Sequence, residues 1–132
     1  MKNQDDVIET STARLSLGDD GIIRGVHLPG ALETLESAVI NTEVSVKFAG
    51  ARGKKLPLMM DYRNIKSITR EARNYYAGEA PARCLSACAI IIGSPISKVI
   101  ANFYIGLNKP AVPTKLFTSE KEAIKWLNSF KK

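Results

Sequence analysis

The chain has 132 residues, 45% apolar and 24% charged, with 19 Lys plus Arg against 13 Asp plus Glu and two cysteines. That length suits one domain over residues 1–132, the apolar share excludes intrinsic disorder, and two cysteines exclude a disulfide-built scaffold. The strongest apolar run, residues 88–92, is far short of the roughly 20 residues a membrane span needs. Residues 1–6 are polar and acidic, lack a signal-peptide core and are expected to be flexible, so the expected location is cytoplasmic.

Alternating Ala13, Leu15 and Leu17 against Arg14 and Ser16 predicts a half-buried strand within 7–17. The Gly18-Asp19-Asp20-Gly21 turn and the alternation Ile22, Val26, Leu28 complete an antiparallel hairpin, ended by Pro29-Gly30. This register turns His27 away from the apolar side, as a surface or inter-element histidine. Beyond Thr34, Leu35, Val39, Thr42, Val46 and Ala49 recur at helical steps, and 56–61 has the length of a strand. A second helix is predicted from Ser67, carrying Ile68, Ala72, Tyr75 and Tyr76. Gly78 would close it in the left-handed conformation, and Pro81 would keep it from resuming.

Residues 85–92 are continuously apolar, as in a strand buried on both faces. Ser94-Pro95 opens a third helix with Ile96, Val99, Ile100, Phe103 and Leu107 at helical spacing. A short strand at 114–117 precedes a capping box, Ser119-Glu120-Lys121-Glu122, and the stripe Ala123, Trp126, Leu127, Phe130. The predicted fold is α/β: a mixed sheet with an N-terminal antiparallel hairpin, helix-linked parallel strands and about four helices.

Residues 1–46 hold three basic and eight acidic side chains, whereas 47–83 hold nine and three. The basic residues form no arginine-rich tract and no RNP-type motif, so a solvated face is expected and no nucleic-acid partner. Catalytic chemistry is hard to assemble. Cys84 and Cys88 read as buried structural thiols, and the sole histidine, His27, sits by no nucleophile motif. Asp61 stands alone at a strand end, and no Walker or G-x-G-x-x-G loop occurs. No enzyme activity, metal or cofactor is expected.

The run Leu58-Met59-Met60-Asp61, the loop 62–66 and the polar stretch Ser67-Ile68-Thr69 make the chain resemble the SpoIIAA-like, or STAS, superfamily. Lys55-Leu56-Pro57-Leu58, Asp61, Ser94-Pro95-Ile96-Ser97, Leu107-Asn108-Lys109-Pro110 and 113–117 make it closer to small uncharacterised bacterial STAS-like proteins, over residues 10–130. The resemblance implies a non-catalytic regulatory or protein-interaction module. Some STAS domains are switched by phosphorylation of a serine in an Asp-Ser-Ser-Gly turn; this chain lacks that Asp and Gly, and Ser67 and Thr69 occupy the nearest stretch. A related branch of similar topology binds lipophilic ligands, so a binder of a small lipophilic or anionic molecule is the alternative.

Topology adds a site. Helices starting at Ser67, Ser94 and Ser119 would present free N–H groups at one sheet edge, near Arg63, Lys66 and Lys98. Arg63, Lys66, Ser67, Thr69, Ser94, Ser97 and Lys98 are therefore the candidate partner- or anion-binding residues, with Ser67 and Thr69 as candidate phospho-acceptors. A homodimer is a further expectation, from the edge hairpin and from helix faces bearing Phe103, Tyr104 and Trp126.

Overall fold

The structure, a computed structural model, describes residues 7–130 apart from the side chain of Phe103. The expectations for residues 1–6 and for Phe103 lie outside the described residues. A six-stranded sheet runs in the order β1 (Val7–Glu9), β2 (Ala13–Leu17), β3 (Ile23–His27), β5 (Leu56–Asp61), β7 (Leu85–Ile91), β8 (Thr114–Phe117). β1, β2 and β3 pair antiparallel; β3, β5, β7 and β8 pair parallel. A separate parallel pair joins β4 (Ala31–Glu33) to β6 (Ile65–Ile68). The predicted hairpin and helix-linked parallel strands are present, with β1 added outside the hairpin.

Four helices, α1 (Leu35–Arg52), α2 (Arg70–Ala77), α3 (Glu79–Cys84) and α4 (Pro95–Phe103), lie on one face, packed through Phe48, Tyr76, Cys84 and Ala101 onto Leu15, Leu56, Met60 and Ile90. The other face carries α5 (Glu120–Asn128), whose Ala123 and Leu127 pack on Met59, Ala87, Ala89 and Ile91. Strand β7 is thus covered on both faces, as its continuous apolar run requires. Small Ala87 and Ala89 set how close α5 approaches.

Local chemistry explains the ends. Thr34 caps α1 in a reciprocal box with Ser37, and Gly53, at φ 68°, closes it in the left-handed conformation. Ser94 caps α4 with Pro95 at its first position, as predicted, and Ser119 accepts the Glu122 N–H at the start of α5. A π-helical turn, Tyr104–Asn108, follows α4.

Several expectations are corrected. The second helix does not begin at Ser67: 65–68 pair with β4 as a strand, and Thr69 is the cap, accepting the Ala72 N–H at 3.1 Å. Gly78 is extended (φ −89°) rather than left-handed, and the chain does resume as α3. Pro81 fits there because it lies in the first turn, where its missing N–H is not needed. Of the two alternatives for His27, surface or inter-element, the second holds, though its predicted orientation does not: β3 turns Ile23, Gly25 and His27 inward and Val26 outward, leaving His27 only 2% exposed and joined to Glu33 of β4. The stripe read for α1 is rotated as well. Thr42 and Ala49 of the stripe are buried, but Leu35 and Val46 are exposed, and Ser37, Asn41 and Ser45 take buried places. Tyr104 is buried and does not offer the outward apolar face expected of it, whereas half-buried Trp126 packs between Phe117 and Phe130.

Ala89 has no exposed surface and belongs to the cluster formed with α5. Ala89→Leu should therefore overpack this layer and cost about 1–3 kcal/mol in urea denaturation, whereas an unchanged midpoint would mean that α5 can retreat freely.

Candidate functional site

Two constellations stand out: a buried polar cluster beneath α1 and α2, and an apolar groove between β6 and α4.

Glu33, at the end of β4, is 1% exposed. Its Oε1 accepts from Ser37 Oγ at 2.6 Å and from the Tyr76 hydroxyl at 2.9 Å. Its Oε2 accepts from Asn41 Nδ2 at 3.1 Å and faces His27 Nε2 at 2.9 Å. Asn41 extends the network, with Nδ2 3.0 Å from Thr12 Oγ1 and Oδ1 accepting from Thr10 Oγ1 at 2.7 Å. Burial alone would push the Glu33 carboxyl up. The hydrogen bonds from His27 and Ser37, the nearby His27 charge and the Tyr76 hydroxyl outweigh it and hold the carboxyl below its usual value. The sequence reading missed this cluster. Its signal is the polar repeat Ser37, Asn41, Ser45 at steps of four, one helix face made for something other than oil.

The groove, of about 450 Å³, is lined by Lys66, Ser67, Ile68, Arg73, Pro95, Ile96, Val99 and Ile100. Helix α4 leaves two apolar side chains outside over it: Ser97 and Ala101 are fully buried and Ile100 packs against the core, whereas Ile96 and Val99 are 53% and 55% exposed. Leu107, in the π-helical turn, is 67% exposed. Ser97 faces inward because its hydroxyl accepts the Gly93 and Ser94 N–H groups, at 3.1 and 3.0 Å. Arg73 is held by Ile68 O and Asn108 Oδ1, and Asn108 in turn donates to Asn74, which ties α2 to the π-helical turn. Among the described residues, Lys66, Arg73 and Lys98 form no ion pair.

The seven sequence-derived candidates separate. Lys66 and Ser67 line the groove, and Lys98 is exposed on α4 without lining it. Thr69, Ser94 and Ser97 serve as helix caps. Arg63 is tied to Asp61 at 2.6 Å and to Glu120 at 3.0 Å, and its side chain crosses Gly93 at a distance that leaves no room for a Cβ. Burial would raise the Asp61 carboxyl, but the hydrogen bonds and charge of Arg63 hold it below its ordinary value. The expected cationic rim at the carboxyl ends of the strands is thus partly neutralised, and α4 and α5 rise from it on opposite faces of the sheet. Burial raises the Cys88 thiol to about 12 and pushes the Cys84 thiol up, so neither is a ready nucleophile. No helix among the described residues is long and apolar enough to cross a membrane.

Glu33→Ala should cost about 3–5 kcal/mol at pH 7, because it strands the partners of a buried charge. The depressed Glu33 carboxyl stabilises the fold fully above its unfolded value, roughly 4.3, and loses that contribution as pH falls through its folded value. Urea midpoints measured from pH 7 to pH 3 should therefore fall less steeply in Glu33→Gln than in the native chain. Equal slopes would show that Glu33 is not ionised in the fold.

Comparison with known structures supports the fold. An uncharacterised protein of the DUF3478 family from Shewanella loihica PV-4, described as having a SpoIIAA-like fold, superimposes with a TM-score of 0.59 at 14% identity, over 91% of this chain and 98% of that one. A protein of unknown function from Arthrobacter sp. FB24 is 29% identical over 86% of this chain and 97% of that one, with a TM-score of 0.30. No curated protein matches the sequence. Residues 16–131 match the family described as a domain of unknown function, DUF7793, and with most of its length matched, the chain, SpoIIAA-like in fold, belongs to that family.

Proposed function

We propose that the protein is a non-catalytic, cytoplasmic interaction module that docks an acidic, amphipathic segment of a protein partner in the groove between β6 and α4. The observation that carries this reading is the orientation of α4, which buries Ser97 and Ala101 and leaves Ile96 and Val99 more than half exposed. Exposed apolar side chains gathered in one place and rimmed by charge mark recognition surfaces. The apolar floor would take the partner's apolar side chains, and Lys66, Arg73 and Lys98, free of carboxylate partners among the described residues, would meet its acidic ones. Ser67 lies in the groove wall, so its phosphorylation would add about two negative charges there and oppose an acidic partner.

If the apolar face serves recognition rather than folding, Val99→Ser and Ile96→Ser should each change stability by no more than about 0.5 kcal/mol. A photo-crosslinking residue at position 99, expressed in the native cell, should capture an acidic segment of another protein, and Lys66→Glu with Arg73→Glu should abolish that adduct. Absence of an adduct, or an adduct only with a second copy of this chain, would overturn the proposal.

A further inference from the structure

At the amino ends of β3, β5 and β7, the sheet end opposite the start of α4, lies a second cleft of about 300 Å³. The β2–β3 turn, the end of α1 with its link to β5, the first residues of β5 and β7, and Phe130 beyond α5 enclose it. A β-bulge lies in its wall: Leu56 pairs with Leu85 but Pro57 with Ala87, so Ser86 is an extra residue in β7. Such bulges bend a strand and end regular pairing, and they recur beside functional sites.

The charge in this cleft is lopsided. Arg52, Lys54 and Lys55 line it, are exposed, and form no ion pair among the described residues. Asp20 lines it too, but Arg24 holds both of its oxygens, at 3.0 and 2.8 Å. Asp19 makes no ion pair among the described residues, so three cations stand against one unanswered carboxylate. The end of α1 does not consume those cations, because the Gly53 and Lys54 N–H groups already bond to the Gly50 and Ala49 carbonyls. Arg52 Nη2 donates to Gly18 O at 3.4 Å, which holds the guanidinium against the β2–β3 turn. Beside the cations the wall is apolar, through Leu56, Pro57 and the half-buried ring of Phe130, which rests edge-on against Trp126.

We infer that this cleft is a binding site for a small organic phosphate with an apolar or aromatic body. A phosphate monoester carries about two negative charges at pH 7.5, which matches the excess of cations over Asp19. Arg52 offers a planar fork of N–H donors suited to phosphate oxygens, and the two lysines add point charges. A carboxylate brings a single charge and so gains less from the same three side chains. The apolar wall takes the remainder of the molecule, and about 300 Å³ is the size of a compact small-molecule site.

The groove of the proposed function also holds cations, Lys66 and Arg73, so the experiment must locate the ligand as well as detect it. Phenyl phosphate, titrated into the full chain and followed by backbone amide NMR, should give saturable shifts gathered at residues 18–21, 52–57 and 130. Inorganic phosphate, which lacks the ring, and benzoate, which carries one charge, should each bind more weakly. Arg52→Gln should weaken phenyl phosphate at least about tenfold with an unchanged unfolding midpoint, since Arg52 is exposed. Lys54→Gln combined with Lys55→Gln should do the same, and decides the matter should Arg52→Gln fail to fold. The inference is overturned by the absence of saturable shifts, by shifts confined to 66–73 and 95–100, by undiminished affinity in these variants, or by inorganic phosphate binding as tightly as phenyl phosphate.

Discussion

A carboxylate with almost no exposed surface must be compensated where it sits, and in this fold that requirement falls on Glu33. Its four donors come from His27 on β3, Ser37 and Asn41 on α1, and Tyr76 on α2, so a single ionised group fastens the sheet to two helices. Asn41 carries the network on to Thr10 and Thr12, which lead into β2. Because hydrogen bonds fix direction where apolar contact does not, the cluster sets the rotation of α1 about its own axis. With Ser37 and Asn41 turned inward, Ile40 and Val46 are carried outward.

Helix α4 exposes apolar side chains by other means. Its inward positions are Ser97, consumed in the cap, and Ala101, small enough to lie close against the core. Beside them, exposed Ile96 and Val99 form the groove with β6 and Arg73. A helical layer that holds itself to the sheet partly by polar contacts leaves apolar side chains available to a partner.

The architecture was legible wherever pattern and burial agree. Residues 85–92 read as a central strand because they are apolar throughout, and Ser94-Pro95 read as a helix start because the cap and the first-turn proline act locally. At 119–122 half of the expected capping box forms, with Ser119 accepting the Glu122 N–H. The sites were less legible because periodicity reports which positions are apolar, whereas in α1 polar Ser37, Asn41 and Ser45 share the buried face with Ala38, Val44 and Phe48, and in α4 Ile96 and Val99 lie outside it. The inward turn of His27 was missed for the related reason that Ile22 and Leu28, which with Val26 set the assumed register, flank β3 rather than belong to it. Ser67 was placed near the correct surface but in the wrong element, since 65–68 find a strand partner, β4, that lies far away in sequence. Lys66 and Ser67 still arrive at the groove, while Arg63 is claimed by two carboxylates whose approach no local pattern announces.

The central claim is that Glu33 is ionised inside the protein and orients the helical layer through its donors. Carbon-detected NMR of the Glu33 side-chain carboxyl across an acid titration of the folded protein reads this directly. The account predicts a carboxylate shift that persists below roughly pH 4.3, the midpoint of an ordinary glutamate, until the fold itself is lost. A Glu33 carboxyl that takes up its proton at or above that midpoint, with the rest of the spectrum unchanged, would contradict it.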